Sequence, residues 1–399
     1  MEGIMNKQTL ITDAVIIDGT AGLAQQNKAI LIENGMITAV GSVTDLRSVA
    51  EGADIMALPG RYIVPGFINV HEHVLTRRAR GSASERAGAT RDVHLYRALR
   101  NAFGCLAEGF TTIRDAGSMD CLGLDVKKAL NDGVFVGPRM QAVSQGLTVT
   151  GGYAHQFFKE VDSEVEVRKA VGEMIKRGVD WVKCMASIEW SKAEGEPISA
   201  VNISTAFMRE AFDIAHHHGK RCMVHAVCKE SIINSLDAGV DSVEHGVMLD
   251  EIVAERMAKD GVYLVPTISG WCERQNDWGR DAGHVRHANL MRPYHDRSVQ
   301  IAHSLGVKMA YGSDNFGNLV DEVRALQEAG MTLSDCLILA TRNGAELLGI
   351  NDMVGTIEQG KRADLVVLGS DPLESAEAFG DVHLVFRDGR KIDPNLLPI

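Results

Sequence analysis

The sequence predicts an α/β protein: a (β/α)8 TIM-type barrel joined to a small β-sandwich domain formed from both chain termini. Three observations carry that prediction. The central region alternates strand-length apolar runs with helical stretches, both ends show short strands with tight turns, and the chain is 399 residues long. Such alternation implies parallel strands with crossover helices. A barrel of this kind takes up roughly 250 residues as one domain, so one large domain and one small one suit the length.

Between Gln8 and Pro59 the runs ITDAVIID, KAILIEN and MITAVG read as strands. The last two flank Asn34-Gly35, a two-residue hairpin signal. Near the other end, ADLVVLG and VHLVFRDGRKI repeat the texture around Asp388-Gly389. Pairing of the two ends gives the expected division, residues 1–64 with 351–399 as the β-sandwich and 65–350 as the barrel. Eight central runs supply the barrel strands: YIVPGFINV, FTTIRDA, PRMQAV, VDWVKCM, RCMVHA, DSVEH, VYLVPT and VKMAYGSD. Amphipathic stretches such as TAFMREAFDIAHHHG and DEIVAERMAKDG separate most of them. The small, polar segment SASERAGATRD is expected as a long loop over the barrel mouth.

Composition narrows the partners. A formal charge of -12 works against nucleic acid and anionic membranes, which need a concentrated basic surface. No window approaches the ~20 apolar residues of a bilayer span. The first ten residues carry no apolar targeting core, so the cytoplasm is the expected compartment and a small molecule the expected partner. The seven cysteines include no Cys-X-X-Cys pair and read as reduced thiols, with Cys184 in the core.

In an α/β barrel the reactive groups lie at the C-terminal ends of strands. His71 and His73 close the first run two residues apart, so both project to one side. His225 ends the fifth run, His245 the sixth and Asp314 the eighth, while Lys183 lies inside the apolar fourth. Imidazole suits zinc, and a carboxylate completes such a site while leaving room for solvent. Burial disfavours a charged lysine. Its neutral amine can react with carbon dioxide to give a carbamate, whose two oxygens can bridge two cations; a lysine paired with a nearby carboxylate such as Asp180, or snorkelling outward, is the alternative. His216, His217 and His218 end a helix and fan over different faces, which reads as surface. His94, His284, His287, His295 and His303 are expected as solvent-facing helical residues.

With these motifs in view, the chain resembles the amidohydrolase superfamily, in the binuclear branch that holds the prolidase-like Xaa-Pro and Xaa-Arg dipeptidases and imidazolonepropionase-related proteins. PGFINVHEH is similar to the family's first-strand motif, TTIRDAG to its second-strand end and VKCMAS to its carboxylated-lysine strand. VHA and VEHG resemble its later histidine strands, and GSDN its eighth-strand aspartate. ATRNGAELLGI through MVGTIEQGKRADLVVLGSDPL resembles its return into the β-sandwich. The resemblance implies two divalent metals, zinc foremost, and a homo-oligomer. It implies His71, His73 and Asp314 on the buried metal and His225 and His245 on the more exposed one. Lys183, as N6-carboxylysine, would bridge them, with a bridging hydroxide as nucleophile. Asp314 then acts as general base toward that hydroxide and as acid toward the leaving amine.

Three departures bear on specificity. Asn69 stands where the family commonly has Asp, and Gly151-Gly152-Tyr153-Ala154-His155 replaces Gly-Gly-His. Tyr153 and His155 are therefore candidates to hydrogen-bond the substrate carbonyl. Val227 replaces a substrate-binding tyrosine of the dipeptidases. The expected reaction is hydrolysis of an amide-type C–N bond in a dipeptide, an N-acyl amino acid or a related small amide. Alternatives are opening of a cyclic amide or deamination of a heterocycle, and hydrolysis of a lactone or organophosphate ester. Cys228 occupies the place of the deaminases' glutamate. A non-catalytic barrel is opposed by six intact ligand types.

Overall fold

The computed structural model describes residues 8–20, 24–77, 89–189, 200–271, 282–315 and 317–399. The chain is an α/β protein with mixed sheets that divides into two units. One comprises Met1–Asn69, Phe103–Thr112 and Thr332–Ile399, the other Val70–Ala102 and Ile113–Met331.

In the smaller unit a four-stranded sheet runs in the order Met36–Ser42, Lys28–Glu33, Gln8–Thr12, Asp54–Ala57. Asn34 and Gly35 adopt φ of 50° and 80°, the left-handed pair of a tight hairpin turn, so Glu33 faces Met36. A six-stranded sheet joins the chain ends, in the order Arg390–Ile392, Val382–Arg387, Leu365–Leu368, Tyr62–Pro65, Val15–Ile17, Ala24–Gln25. Ile11, Ile30, Ile32, Ile63, Leu365, Val367 and Phe386 meet in one apolar cluster. β-branched and aromatic residues suit these half-buried pleated surfaces.

The larger unit is organised by a parallel sheet in the order Lys159–Glu160, Leu147–Thr148, Trp181–Met185, Arg221–Ala226, Ser242–His245, Tyr263–Val265. Helices Glu164–Lys176, Thr205–His217, Lys229–Ala238 and Glu251–Asp260 alternate with its later strands. Ser163, Ser204 and Asp250 cap three of them by accepting a backbone N–H in the first turn. Helix Thr205–His217 buries Met208, Ala211, Phe212 and Ala215, the spacing of one helical face. Among the described residues, no helix is long and apolar enough to cross a membrane, and the six described cysteines are buried and free.

Three expectations need correction. The first apolar run is two strands, Tyr62–Pro65 and Phe67–Glu72. They break at Gly66, where a Cβ would stand 2.2 Å from Thr111 Oγ1, so only glycine fits. The eighth run forms isolated bridges rather than a ladder strand, Leu264 to Met309 and Glu72 to Asp314. Of the expected SASERAGATRD loop, residues 82–88 lie outside the described residues, and Arg91 already opens helix Arg91–Ala107.

Candidate metal centre

The strand Phe67–Glu72 places His71 inward, and the chain just beyond it carries His73. Imidazole Nδ1 of His71 donates to Glu244 Oε2 at 2.6 Å, and Nδ1 of His73 donates to the Gly117 carbonyl at 2.8 Å. With Nδ1 engaged, Nε2 of each ring is directed at Asp314, whose Oδ1 lies 3.9 Å from His71 and 3.6 Å from His73. Ligand atoms of these three residues all fall within 4.8 Å of one another.

Asp314 holds that position through its backbone. Its φ is 54°, left-handed for a non-glycine residue, and its N–H donates to the His71 carbonyl at 2.8 Å. Asn315 Nδ2 donates to Asp314 Oδ1 at 3.1 Å, and Thr76 in turn donates to Asn315. Two residues earlier, a Cβ at Gly312 would come within 2.7 Å of the His71 Cβ, so the close approach of this segment to the His71 strand requires glycine.

His225 and His245 come from adjacent parallel strands, paired so that Ala226 faces His245. Their rings are 4.6 Å apart, and the His245 ring is 5.2 Å from that of His71. Thr267 gives its hydroxyl proton to the Pro266 carbonyl, so its oxygen accepts from His245 Nδ1 at 2.7 Å. His225 has a backbone hydrogen bond to Ile188, while its buried Nε2 has no hydrogen-bond partner among the described residues. His245 (φ 70°) and Thr267 (φ 49°) share the left-handed backbone of Asp314. Strained non-glycine positions of this kind cost of order 1–3 kcal/mol each and gather at functional sites.

Lys183, on Trp181–Met185, is 2% exposed and its Nζ lies 5.6 Å over the Phe158 ring. Asp180 does not pair with it: that carboxylate is taken by Lys127 at 2.6 Å and by the Ala142 amide. Burial pulls the Lys183 pKa down to about 8. Burial, then the Lys183 charge, holds His71, His73 and His225 as neutral imidazoles, His73 at about 4 and the other two well below the usual histidine range. For His245 burial is followed by the neighbouring His225, with the same result. Burial would raise Asp314, but the charges that His71, His73, His245 and Lys183 carry at the low pH where a carboxylate titrates outweigh it, so Asp314 stays ionised. Neutral imidazoles and an ionised carboxylate are the protonation states a divalent cation requires. The donor set fits such an ion.

These shifts have a measurable consequence for the metal-free protein. Unfolded histidines take protons near pH 6.5, whereas the folded ones, with His295 at about 3, resist them to far lower pH. The unfolded state therefore binds more protons between roughly pH 6.5 and 4, and stability is lost as pH falls through that window. Asp115 and Glu322, pushed up to about 7 by burial, act in the opposite sense, but five imidazoles outweigh two carboxyls. Urea midpoints of metal-free protein should drop clearly from pH 7.5 to pH 5; an unchanged midpoint would count against the neutral set.

Of the two loop candidates, Tyr153 stacks on the His225 ring at 4.9 Å. His155 instead engages Gln156 at 2.7 Å and lies 3.7 Å from Glu160. Val227 and Cys228 are buried in an apolar cluster with Val247, Trp271 and Met291. Two histidines depart from expectation. His295 is fully buried and donates to the His245 carbonyl at 3.0 Å, and His94 is buried as well. His216, His217, His218 and His303 are exposed, as expected.

Sequence reasoning missed the residues behind the candidate ligands, above all Glu244 and Arg114, both fully buried. Arg114 donates to Glu244 Oε1 at 2.9 Å, and Ser242 donates to the same oxygen at 2.7 Å. A signal was present. Each is a charged residue inside a strand that is otherwise buried, FTTIRD and SVEH.

The chain matches the amidohydrolase family over residues 62–392. Ochratoxinase from Aspergillus niger is 26% identical over 428 residues, covering 95% of this chain and 85% of that protein. Imidazolonepropionase from Mesorhizobium japonicum is 28% identical and covers 89% of each. A crystal structure of a Xaa-Pro dipeptidase with methionine bound in its active site superposes with a TM-score of 0.86 at 26% identity. That match covers 97% of this chain and 100% of the dipeptidase.

Proposed function

The chain belongs to the amidohydrolase family, and on that premise we propose that it is a zinc-dependent hydrolase of an amide-type C–N bond in a small substrate: a dipeptide, an N-acyl amino acid or a related amide. One observation carries this reading: four imidazoles held neutral around an ionised Asp314. We take Phe67–Glu72, Phe110–Asp115, Arg139–Ala142, Trp181–Met185, Arg221–Ala226, Ser242–His245, Tyr263–Val265 and the bridged segment ending at Asp314 as the eight strands of a barrel in residues 65–350. Residues 1–64 and 351–399 form the β-sandwich in the same reading. The cytoplasm, where thiols stay reduced, suits the buried free cysteines.

His71, His73 and Asp314 would hold one cation and His225 and His245 the other, with Lys183 as N6-carboxylysine between them. Such cations would supply Lewis acidity, lowering the pKa of bound water to about 7 and polarising the scissile carbonyl. The remaining work falls to the chain. Asp314 accepts the proton of the attacking water and returns it to the leaving nitrogen, a task that suits a carboxylate oriented by Asn315. Tyr153, stacked on His225 beside the proposed ligands, is the candidate to meet the substrate carbonyl, whereas His155 would first have to leave Gln156 and Glu160. Val227, where a dipeptidase has tyrosine, is buried in an apolar cluster and brings no hydroxyl to a substrate, which weighs against the dipeptide and toward the N-acyl amino acid or related amide.

Zinc-loaded protein screened against dipeptide, N-acyl amino acid, cyclic amide and lactone libraries should turn over the first two classes. Turnover confined to lactones would sink the amide assignment. Turnover confined to cyclic amides would move it to ring opening.

A further inference from the structure

We propose that Glu244, held by Arg114 and Ser242, decides which ring nitrogen His71 presents to the metal centre, and so sets metal affinity without touching metal or substrate. This rests on the metal-dependent reading above. Glu244 uses both of its oxygens, Oε2 accepting from His71 Nδ1 at 2.6 Å and Oε1 accepting from Arg114 Nη2 at 2.9 Å and Ser242 Oγ at 2.7 Å. Arg114 cannot swing away. Its Nε donates to the Val70 carbonyl, its Nη1 to Ser242 Oγ at 3.3 Å, and its guanidinium lies 4.2 Å over the Trp181 ring.

A carboxylate only accepts, so the proton of a neutral His71 sits on Nδ1 and the lone pair on Nε2, the nitrogen that faces Asp314. Glutamine has nearly the same shape but one accepting end and one donating end. Arginine only donates. With Arg114 in place, the glutamine oxygen must therefore turn toward the guanidinium and its NH2 toward His71. Nδ1 then has to accept, the ring proton moves to Nε2, and that nitrogen can no longer ligate. The substitution thus acts through a tautomer rather than through volume. Removing Arg114 as well frees the glutamine to rotate, give its oxygen to Nδ1 and restore the ligating form.

The experiment measures zinc affinity by chelator competition for wild type, Glu244→Gln and the double variant Arg114→Met/Glu244→Gln, with thermal unfolding of each metal-free protein as a folding control. Glu244→Gln is expected to weaken zinc binding by about 10–100-fold, and the double variant to recover most of that loss. Nitrogen NMR of histidine-labelled, metal-free wild type supplies a readout independent of any variant's folding: His71 should carry its proton on Nδ1. An Nε2–H signal, equal affinity for wild type and Glu244→Gln, or no recovery in the double variant overturns this inference alone. Wild type that takes up no zinc overturns the metal-dependent reading along with it.

Discussion

Asp314→Asn is expected to lower kcat by about 10³-fold, while zinc content falls far less. The substitution isolates chemistry from backbone. Asp314 sits at φ 54°, and asparagine is among the few residues that tolerate the left-handed region, so the segment should keep its course. The asparagine amide oxygen can still accept from Asn315, which now donates to Asp314 Oδ1 at 3.1 Å. What disappears is the charge and the ability to take a proton. General acid–base catalysis contributes typically about 10²–10⁴-fold, and loss of a ligand charge adds to it. Because the proton moves only in the transition state, kcat and kcat/KM should fall together with little change in KM. Steady-state kinetics beside metal analysis checks this. A variant within tenfold of wild-type kcat would remove Asp314 from the proton path and leave it as a ligand.

The ligand-type residues were legible because a strand's period of two and the common direction of parallel strands leave few places for reactive groups. His71, His225 and His245 lie at or within one residue of a strand's C-terminal end, His73 one residue past its strand and Asp314 in a bridged segment, and the structure gathers them. What lies behind them was not legible, for a physical reason. The His71–Glu244 and Arg114–Glu244 contacts join residues 173 and 130 positions apart, and no local periodicity reports such a pairing. His295 shows the same limit. It sits in the polar helix Ala282–Ser304, whose composition points to solvent, yet its ring is buried against the His245 carbonyl. The left-handed backbone at His245 and Asp314 is invisible in residue type, since neither is glycine. Gly66 was the cue for the split first strand. A glycine inside an apolar run marks a close approach or a break, and here it marks both.

Lys183→Ala is expected to abolish turnover and to leave the protein short of one or both metals, without unfolding it. Two opposing costs decide the second half of that statement. Holding this amine charged while its pKa is pulled from about 10.5 to about 8 costs roughly 3 kcal/mol at neutral pH, and alanine removes that cost. Emptying a buried site of a side chain this long costs about 2–5 kcal/mol. The two nearly cancel, so the metal-free variant should melt within a few degrees of metal-free wild type. The metal-loaded proteins should diverge widely, because alanine offers no oxygen to either cation. The same depressed pKa means that the free amine, the form that reacts with carbon dioxide, is present in a substantial fraction near pH 8. Zinc uptake by wild type should therefore rise with added bicarbonate, and labelled bicarbonate should give a carbamate carbon signal in wild type that is missing from the variant. Metal analysis, calorimetry and carbon NMR on the two proteins test each part. A Lys183→Ala protein that is fully loaded and fully active would remove the lysine from between the metals, whatever its pKa.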